Sequence, residues 1–302
     1  MFVGIDLGGT NIAGGLVNGN GKLLEKIETP TLSERGSALV IADIVKLCKK
    51  LASREQVRAV GIGFPGFVDS RGQVLFAPNL GWQDVLLTPA LESQLGLPVR
   101  VANDASVAAL AEARAGVTSE FASSLFLTLG TGVGGGIVID GKLWNGSRGA
   151  AGEVGHMVVG ESLHNCGCGK NGCLEAFASA TALVQYAAHL MENRPSVLPA
   201  NPDARAVFAA ARQGDEVASM AVERLIHYLA LGIVNLINIF DPDAVAIGGG
   251  LARAGEQLFT PLRKAIAGNL LVPDLAMPPI LLARMGNDAG IVGAAMLGAD
   301  TV

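Results

Sequence analysis

The chain has 302 residues, a formal net charge of −5, and a composition that is 50% hydrophobic and 16% charged. This length suits two domains of ordinary size, and the apolar content is sufficient for buried cores and a subunit interface. The charges form no run that suggests a nucleic-acid-binding arm or a polybasic membrane patch, and the first six residues do not form a signal peptide, so we expect a cytoplasmic protein.

The N-terminal segment predicts a strand, a glycine turn and a second strand, followed by a hairpin turn. The first strand leads into Gly8-Gly9-Thr10, residues 12–17 form the second strand, and residues 18–21 have the composition of a hairpin turn. The same order returns in residues 127–143, around Gly130-Thr131-Gly132. We interpret the echo as a duplicated core with one copy opening each domain; the alternative is two unrelated glycine-rich hairpins.

The remaining segments alternate between helical and extended patterns, which predicts an α/β protein with two domains facing a cleft. Helical spacing covers residues 37–52, 105–115 and 218–240, and short apolar strands cover residues 59–64, 98–102 and 244–247. The apolar part of the third helix is shorter than a membrane span needs, so we expect it to lie in a core. We assign residues 1–118 and a C-terminal helix at about 288–302 to the first domain, and residues 119–287 to a larger second domain.

The glycine turns are candidates for phosphate binding, because backbone N–H groups in such turns can approach phosphate oxygens without obstruction by side chains. Neither turn has the P-loop pattern, since no Gly-Lys-Ser/Thr follows at the required spacing, and neither has the dinucleotide fingerprint, since a strand and not a helix follows each one. Asp6 precedes the first turn and is a candidate ligand for Mg²⁺. A third cluster, Gly248-Gly249-Gly250, lies between a strand and a predicted helix and suits the packing of a flat ring; the alternative is a helix start without a ligand.

Three of the four cysteines, Cys166, Cys168 and Cys173, lie within eight residues. In a chain without a disulfide framework, this crowding indicates a metal site more than a disulfide. The alternative is three free thiols on a loop. We expect the fourth cysteine, Cys48, to be a buried apolar residue on a helix.

Five motifs occur in an order that closely resembles the ROK family, which groups bacterial repressors, uncharacterised open reading frames and sugar kinases. The motifs are residues 6–11, Asn103-Asp104, residues 129–136, residues 153–156 and residues 166–175. The resemblance covers essentially the whole chain, and its most specific part is the cysteine motif with the upstream Glu-x-Gly-His. It implies an actin-like, hexokinase-like (ribonuclease H-like) fold with ATP and a sugar in the cleft, and a homodimer.

The resemblance also implies the site residues. Residues for ATP and its Mg²⁺ ion would be Asp6, Gly8, Gly9, Thr10, Asn11, Gly130, Thr131, Gly132, Gly248, Gly249 and Gly250. Residues around the sugar would be Gly66, Asn79, Asn103, Asp104, Glu153, His156 and Glu175. A closed Cys₃His set for structural Zn²⁺ would be His156, Cys166, Cys168 and Cys173, with His164 as a rival ligand.

Asp104 follows a strand and begins a helix, at the type of sheet edge where α/β proteins bind ligands. The resemblance implies that it is the general base, and the helix N-terminus is expected to favour its ionised form. The alternative for this residue is a simple helix cap. Residues 79–82 and 149–153 are most similar to the glucokinases of the family, which implies phosphorylation of the 6-hydroxyl of glucose.

Three other functions are compatible with the motifs. The first is a ROK kinase for N-acetylglucosamine, N-acetylmannosamine or fructose. The second is a sugar-responsive repressor, but the first motif begins at residue six and the net charge is −5, so we expect neither a DNA-binding domain ahead of it nor a nucleic-acid partner. The third is a sugar-binding protein without catalysis, against which Asp104 and both glycine turns argue.

Overall fold

The computed structural model describes residues 1–69, 71–272 and 276–302 and divides the chain into two compact units. The first unit comprises Met1–Phe126, Gly136–Gly152 and Ala283–Val302, and the second comprises Leu127–Gly135 and Glu153–Leu282. Residues 136–152 therefore group with the first unit, whereas the sequence assigned them to the second domain. The proposed domain boundaries stay a prediction.

The strands include the extended segments expected from the sequence, with small differences at their ends, together with several strands that the sequence did not predict. In chain order they are β1 Phe2–Leu7, β2 Asn11–Val17, β3 Leu23–Pro30, β4 Ala59–Phe64, β5 Phe67–Val68, β6 Val74–Ala77, β7 Trp82–Val85, β8 Val99–Asn103, β9 Ser124–Leu129, β10 Val133–Ile139, β11 Lys142–Leu143, β12 Ala244–Gly248 and β13 Ile280–Leu282. Both predicted strand–turn–strand units are present, because β2 and β10 follow the two glycine turns directly.

The helices include the three helical segments and the C-terminal helix predicted from the sequence, together with several that the sequence did not predict. They are α1 Ser37–Ala52, α2 Leu87–Leu95, α3 Asp104–Ala115, α4 Glu175–Ala178, α5 Ala180–Met191, α6 Ala204–Arg212, α7 Glu216–Phe240, α8 Glu256–Ala267 and α9 Ala289–Ala299. Short 3₁₀ helices cover Ser33–Arg35, Pro78–Leu80, Val154–His156, Leu251–Ala254 and Gly286–Asp288. The helix predicted directly after Gly250 is one of these 3₁₀ turns, and α8 starts only after Gly255, whose φ of 60° interrupts the helical path.

Two five-stranded sheets share one strand order. The first runs β3-β2-β1-β4-β8 and the second runs β11-β10-β9-β12-β13. In each sheet the first three strands in chain order lie side by side, and the two later strands are added on the other side of the earliest strand. In the first sheet β1, β4 and β8 are parallel neighbours. The matching order agrees with the duplicated core inferred from the glycine-turn echo. A third sheet, β5-β6-β7, has three strands.

The core of the first unit depends on α9, which packs against β1, β4 and α3. A Cβ atom at Gly4 or Gly61 would overlap the backbone of α9, and one at Gly293 would overlap the carbonyl oxygen of Val107 in α3. These contacts involve backbone, which cannot rotate away as a side chain can. Glycine at these positions therefore lets the helix approach the sheet closely enough to bury nearly its whole surface.

The loop that leads into α9 is held by Glu112, a fully buried residue of α3. Its Oε1 atom accepts hydrogen bonds from the N–H groups of Arg284 (2.8 Å) and Met285 (2.7 Å), and its Oε2 atom accepts one from Val117 (2.8 Å). Three backbone donors thus offset the cost of burying this carboxylate. The arrangement fixes the start of α9 against the end of α3.

Helix α7 organises the second unit, where it packs against α4, α5, α6 and α8. With 25 residues, the helix is long and apolar enough to cross a membrane by length and composition. However, 61% of its apolar 18-residue stretch is buried inside the protein. Such burial is typical of a core helix, as the sequence predicted. Cys48 is also buried as expected, and burial raises the pKa of its thiol to about 12.

We expect Gly61→Ala to lower the free energy of unfolding by at least about 2 kcal/mol, because the added methyl group overlaps the carbonyl oxygen of Ala294 and only a backbone shift can relieve the overlap. Urea unfolding followed by circular dichroism measures the change. Gly19→Ala is the matched control, since a methyl group there meets no atom within 4 Å. Equal stability of the two variants would contradict the close approach of α9.

Candidate active site and metal centre

Three predicted site segments of the first unit follow parallel, adjacent strands. Asp6 and Gly8 lie at the end of β1, Gly66 follows β4, and Asn103 ends β8 directly before Asp104. The carboxyl ends of parallel neighbouring strands share one edge of a sheet, where open α/β sheets bind ligands. The fold therefore brings these segments together at one edge.

Asp104 is the first residue of α3, but it is not the helix cap. The cap is Asn103, whose Oδ1 atom accepts hydrogen bonds from the N–H groups of Ala105 (2.9 Å) and Ser106 (3.3 Å). Asp104 itself accepts one from Ala105 at 2.8 Å. Capping thus occupies the amide oxygen of Asn103.

The ionisation of Asp104 differs from the expectation. Its side chain reaches solvent, yet protein surrounds the carboxyl group closely, and the resulting loss of hydration raises its pKa above the ordinary value. Hydrogen bonds from the backbone N–H groups of Ala105 and of Asp104 itself oppose this effect without cancelling it. The helix N-terminus therefore does not hold this carboxylate in an unusually acidic form.

Asp6 is electrostatically linked to Asp104. Burial and then the negative charge of Asp104 raise the pKa of Asp6 to about 6, while the positive charge of Lys26 lowers it. Lys26 forms ion pairs with Glu28 (2.9 Å) and Asp288 (3.1 Å). Two carboxylates that repel each other would both be stabilised by a divalent cation, which fits the prediction of Mg²⁺ near Asp6.

The first glycine turn is closed by a hydrogen bond from the N–H of Gly8 to the carbonyl oxygen of Asn11 (2.9 Å). Thr31, fully buried directly after β3, holds the turn from outside. Its hydroxyl donates to the carbonyl oxygen of Gly8 (2.7 Å), and its N–H donates to that of Thr10 (2.8 Å). The sequence contained no signal for this contact, since nothing local links Thr31 to the turn.

Asn79, another predicted sugar residue of this unit, lies close to the same turn. A Cβ atom at Gly9 would lie 4.0 Å from the Cβ of Asn79, so the two segments are neighbours. Gly66 is required for close packing, because a Cβ atom there would lie 2.6 Å from the carbonyl oxygen of Phe76. Asn79 is in the 3₁₀ helix Pro78–Leu80.

In the second unit the glycine turn of residues 130–132 is closed by a bond from the N–H of Gly130 to the carbonyl oxygen of Gly132 (2.9 Å). The start of α5 holds this turn. The N–H of Ala180 donates to the carbonyl oxygen of Gly130 (2.8 Å), and the hydroxyl of Thr181 donates to that of Thr131 (2.8 Å). Ser179, the N-cap of α5, was a visible signal for this helix start, but not for its contact with the turn.

The third glycine cluster contacts the strand that leads into this turn. Gly249 has a φ of 85°, and a Cβ atom there would fall on the backbone of Leu129, 2.6 Å from its nitrogen atom. The structure therefore brings Gly248, Gly249 and Gly250 beside the strand that precedes Gly130. Glycine at position 249 is required both by its backbone angle and by this close approach.

The predicted metal ligands form one cluster. The ligand atoms of His156, Cys166, Cys168 and Cys173 all lie within 4.8 Å of one another, with 3.6 Å between Nδ1 of His156 and Sγ of Cys166 and 3.6 Å between the Sγ atoms of Cys168 and Cys173. Tetrahedral zinc with bonds of about 2.0–2.3 Å places its ligand atoms roughly 3.5–3.8 Å apart, so this donor set fits the ion. His164 lies outside the cluster, in a loop.

Two glutamates lie beside the cluster. Oε2 of Glu153 lies 3.9 Å from Nε2 of His156, on the opposite side of the ring from Cys166. Glu175 contacts both the cluster and the glycine turn: its Oε1 atom accepts a hydrogen bond from Cys166 Sγ (3.3 Å), and its Oε2 atom accepts one from the N–H of Val133 (3.0 Å). Carboxylates in such positions orient metal ligands.

The structure thus places the predicted residues in two groups, one in each unit. The first holds Asp6, Gly8, Gly9, Thr10, Asn11, Gly66, Asn79, Asn103 and Asp104. The second holds Gly130, Thr131, Gly132, Glu153, His156, Cys166, Cys168, Cys173, Glu175, Gly248, Gly249 and Gly250. Sequence reasoning missed the supporting residues Lys26, Thr31, Ala180 and Thr181.

Comparisons with known proteins show which family the chain belongs to. The chain is 40% identical to a glucokinase of Thermotoga maritima over 98% of this chain and 96% of that protein. It is similar to the ROK family glucokinase of Streptomyces griseus in complex with glucose and AMPPNP, with a TM-score of 0.81 and 36% identity over 99% of both chains. The ROK hexokinase of Thermus thermophilus has a TM-score of 0.86 and 36% identity over 99% of this chain and 98% of that one.

Other relatives have different names. An N-acetyl-D-glucosamine kinase of Aliivibrio fischeri is 34% identical over 98% of this chain and 99% of that protein. A xylose repressor of Caldicellulosiruptor bescii is 32% identical over 97% of this chain and 76% of that protein. The profile of the ROK family matches residues 2–301. The mixed α/β fold with two units is the actin-like fold of ROK hexokinases, and the chain belongs to the ROK family.

Proposed function

We propose that this chain is an ATP-dependent glucokinase that forms glucose 6-phosphate. The observation that carries the proposal is the position of Asp104, a partly hydrated carboxylate at the sheet edge that also bears the Asp6–Asn11 turn. Similarity to the Thermotoga maritima glucokinase over 98% of this chain supports the choice of reaction and sugar.

In the proposed reaction Asp104 accepts the proton of the glucose 6-hydroxyl while that oxygen attacks the γ-phosphorus of ATP. The bond from the γ-phosphorus to the β,γ-bridging oxygen breaks, and ADP leaves. Phosphoryl transfer depends mainly on positioning and on stabilisation of charge, so one base and two turns of backbone N–H groups are sufficient protein machinery. When bound, Mg²⁺ supplies neutralisation of the phosphate charge, and Asp6 is the residue that would hold it.

The raised pKa of Asp104 suits this role. A general base works best when its pKa approaches the working pH, because it is then ionised in the ground state and still basic enough to take a proton. The remaining sugar contacts come from Gly66, Asn79, Asn103, Glu153, His156 and Glu175. The amide nitrogen of Asn103 is the group that capping leaves for a hydroxyl.

The phosphates of ATP occupy the two glycine turns in this proposal, with the nucleoside near Gly248, Gly249 and Gly250. Gly250 supports this position, because a Cβ atom there would meet no atom within 4 Å and bare exposed backbone offers a flat surface to a base. Zinc has a structural role in the Cys₃His cluster. The enzyme acts as a cytoplasmic homodimer, with domains close to residues 1–118 plus 288–302 and 119–287.

We expect a coupled ADP-release assay with Mg-ATP to give the highest kcat/KM for glucose among glucose, mannose, fructose, N-acetylglucosamine and N-acetylmannosamine. The second candidate is a kinase for N-acetylglucosamine, which the 34% identical Aliivibrio fischeri enzyme favours. A preference for that sugar would replace the proposed substrate and keep the proposed reaction. Absence of turnover with every sugar would contradict the kinase proposal.

We expect Asp104→Asn to fold normally and to lower kcat by about 10²- to 10⁴-fold, because the amide can still accept the hydrogen bond from Ala105 but cannot take a proton. In the unmodified enzyme kcat falls as the pH falls through the raised pKa of Asp104; the residual activity of the variant would lack this dependence.

The matched control for this variant is Asp140→Asn. Asp140 lies in an exposed hairpin turn with a φ of 52°, which asparagine also adopts, so kcat should not change. Near-normal kcat in Asp104→Asn would remove Asp104 from the mechanism.

We expect one zinc ion for each chain by elemental analysis, and its loss in Cys168→Ser, because this variant removes one of four ligands. The variant should unfold at a lower temperature and bind glucose more weakly, since the loop around His156 and Glu175 is no longer fixed. Cys48→Ala is the control. Cys48 lies in the core of the first unit, so the Cys48→Ala protein should keep its zinc. Full zinc content in Cys168→Ser would contradict the ligand set.

A further inference from the structure

Each glycine turn is held on its carbonyl side by a threonine from outside the turn. In the first unit the hydroxyl of Thr31 donates to the carbonyl oxygen of Gly8 at 2.7 Å. In the second unit the hydroxyl of Thr181 donates to the carbonyl oxygen of Thr131 at 2.8 Å. A backbone N–H adds a second contact in each case, from Thr31 to Thr10 and from Ala180 to Gly130, both at 2.8 Å. The two copies of the core therefore share a support as well as a strand order.

These contacts determine where the N–H groups of the turns point. In a trans peptide the carbonyl oxygen and the following N–H lie on opposite sides of the chain, and the described backbone contains no cis peptide. A carbonyl of Gly8 that faces Thr31 directs the N–H of Gly9 the other way. Carbonyls of Gly130 and Thr131 that face α5 likewise direct the N–H groups of Thr131 and Gly132 away from that helix.

We infer that Thr31 and Thr181 are positioning residues that orient the N–H groups of the two glycine turns toward the phosphates of the nucleotide. The inference rests on the proposed function, which places ATP phosphates at these turns. Neither residue touches the phosphates in this scheme. Each acts by fixing the orientation of a peptide plane before the nucleotide binds. Binding then loses less conformational entropy than it would with a free turn.

The two threonines differ in what removal of the hydroxyl does to the fold. Thr181 is an exposed residue in the first turn of α5, and Ser179 caps that helix independently through the N–H of Ala182 at 3.0 Å. Valine has the shape of threonine, so Thr181→Val removes one hydrogen bond to the turn and leaves α5 intact. Thr31 is fully buried, and Thr31→Val leaves the carbonyl oxygen of Gly8 without this donor inside the protein.

Glu175 shows that the second turn is also connected to the metal cluster. A Cβ atom at Gly132 would overlap Oε2 of Glu175, and the same oxygen holds the N–H of Val133 at 3.0 Å. The segment from Glu175 to Thr181 therefore contacts the turn at both ends, with the metal ligand Cys173 just ahead of it. We chose Thr181 for the decisive test because Glu175 is also assigned to the sugar.

The experiment is calorimetric titration of the full chain with the non-hydrolysable analogue Mg-AMPPNP and, separately, with glucose. We expect Thr181→Val to raise the Kd for Mg-AMPPNP about fivefold, the equivalent of one lost hydrogen bond of about 1 kcal/mol, with the Kd for glucose unchanged within about twofold. Thr181→Ser, which keeps the hydroxyl, should restore the affinity. Thr31→Val and Thr31→Ser should show the same contrast.

The control is Thr260→Val, which removes a threonine hydroxyl that donates to Glu256 at 2.6 Å on the exposed face of α8 and should change neither Kd. A purely structural role for Thr181 would lower the melting temperature and weaken both ligands together, which would overturn the inference. So would unchanged Mg-AMPPNP affinity in Thr181→Val. If the unmodified chain binds no Mg-AMPPNP, the kinase proposal itself fails; if it binds and the valine variants bind equally well, only the inference fails.

Discussion

The first unit depends on how closely α9 approaches its sheet. Glycines at positions 4, 61 and 293 remove the atoms that would keep this helix away from β1, β4 and α3, and Glu112 fixes the loop that enters it. This close packing also affects the sheet edge that carries the predicted site residues, because a Cβ atom at Gly290, in the first turn of α9, would overlap the carboxyl group of Asp6. The same close packing that builds the core therefore buries Asp6 and contributes to its raised pKa.

The acidic residues serve two physically different purposes, and their hydrogen bonds distinguish them. Glu112 accepts hydrogen bonds from three backbone N–H groups, which stabilise its charge and give the residue a structural role. Burial raises the pKa of both Asp6 and Asp104, and the negative charge of Asp104 adds to the rise at Asp6. A carboxylate kept in that state is costly to the fold, and such cost is characteristic of sites where charge is needed for chemistry or for a cation.

Patterns that depend on local geometry were predictable from the sequence. Periodicity located α1 at Ser37–Ala52 and β4 at Ala59–Phe64, and the crowding of three cysteines, with His156 added by the family resemblance, predicted the members of the Cys₃His cluster. Contacts between distant segments were not predictable: no local pattern links Thr31 to Gly8 or Thr181 to Thr131. The cap of α3 was also ambiguous, because Asn103 and Asp104 are both good cap residues and only the backbone shows which one precedes the helix.

Glu175 and His156 were each assigned to more than one role, and the geometry indicates how these roles are compatible. A zinc-bound cysteine is a thiolate and cannot donate, so Oε1 of Glu175, which accepts from Cys166 Sγ, needs another donor once the metal is bound. A sugar hydroxyl is such a donor. His156 faces Cys166 with Nδ1 and Glu153 with Nε2, so metal binding at one nitrogen fixes the tautomer and leaves an N–H at the other. The metal would then shape the sugar site through these side chains' hydrogen-bonding capacity as well as through the fold of their loop.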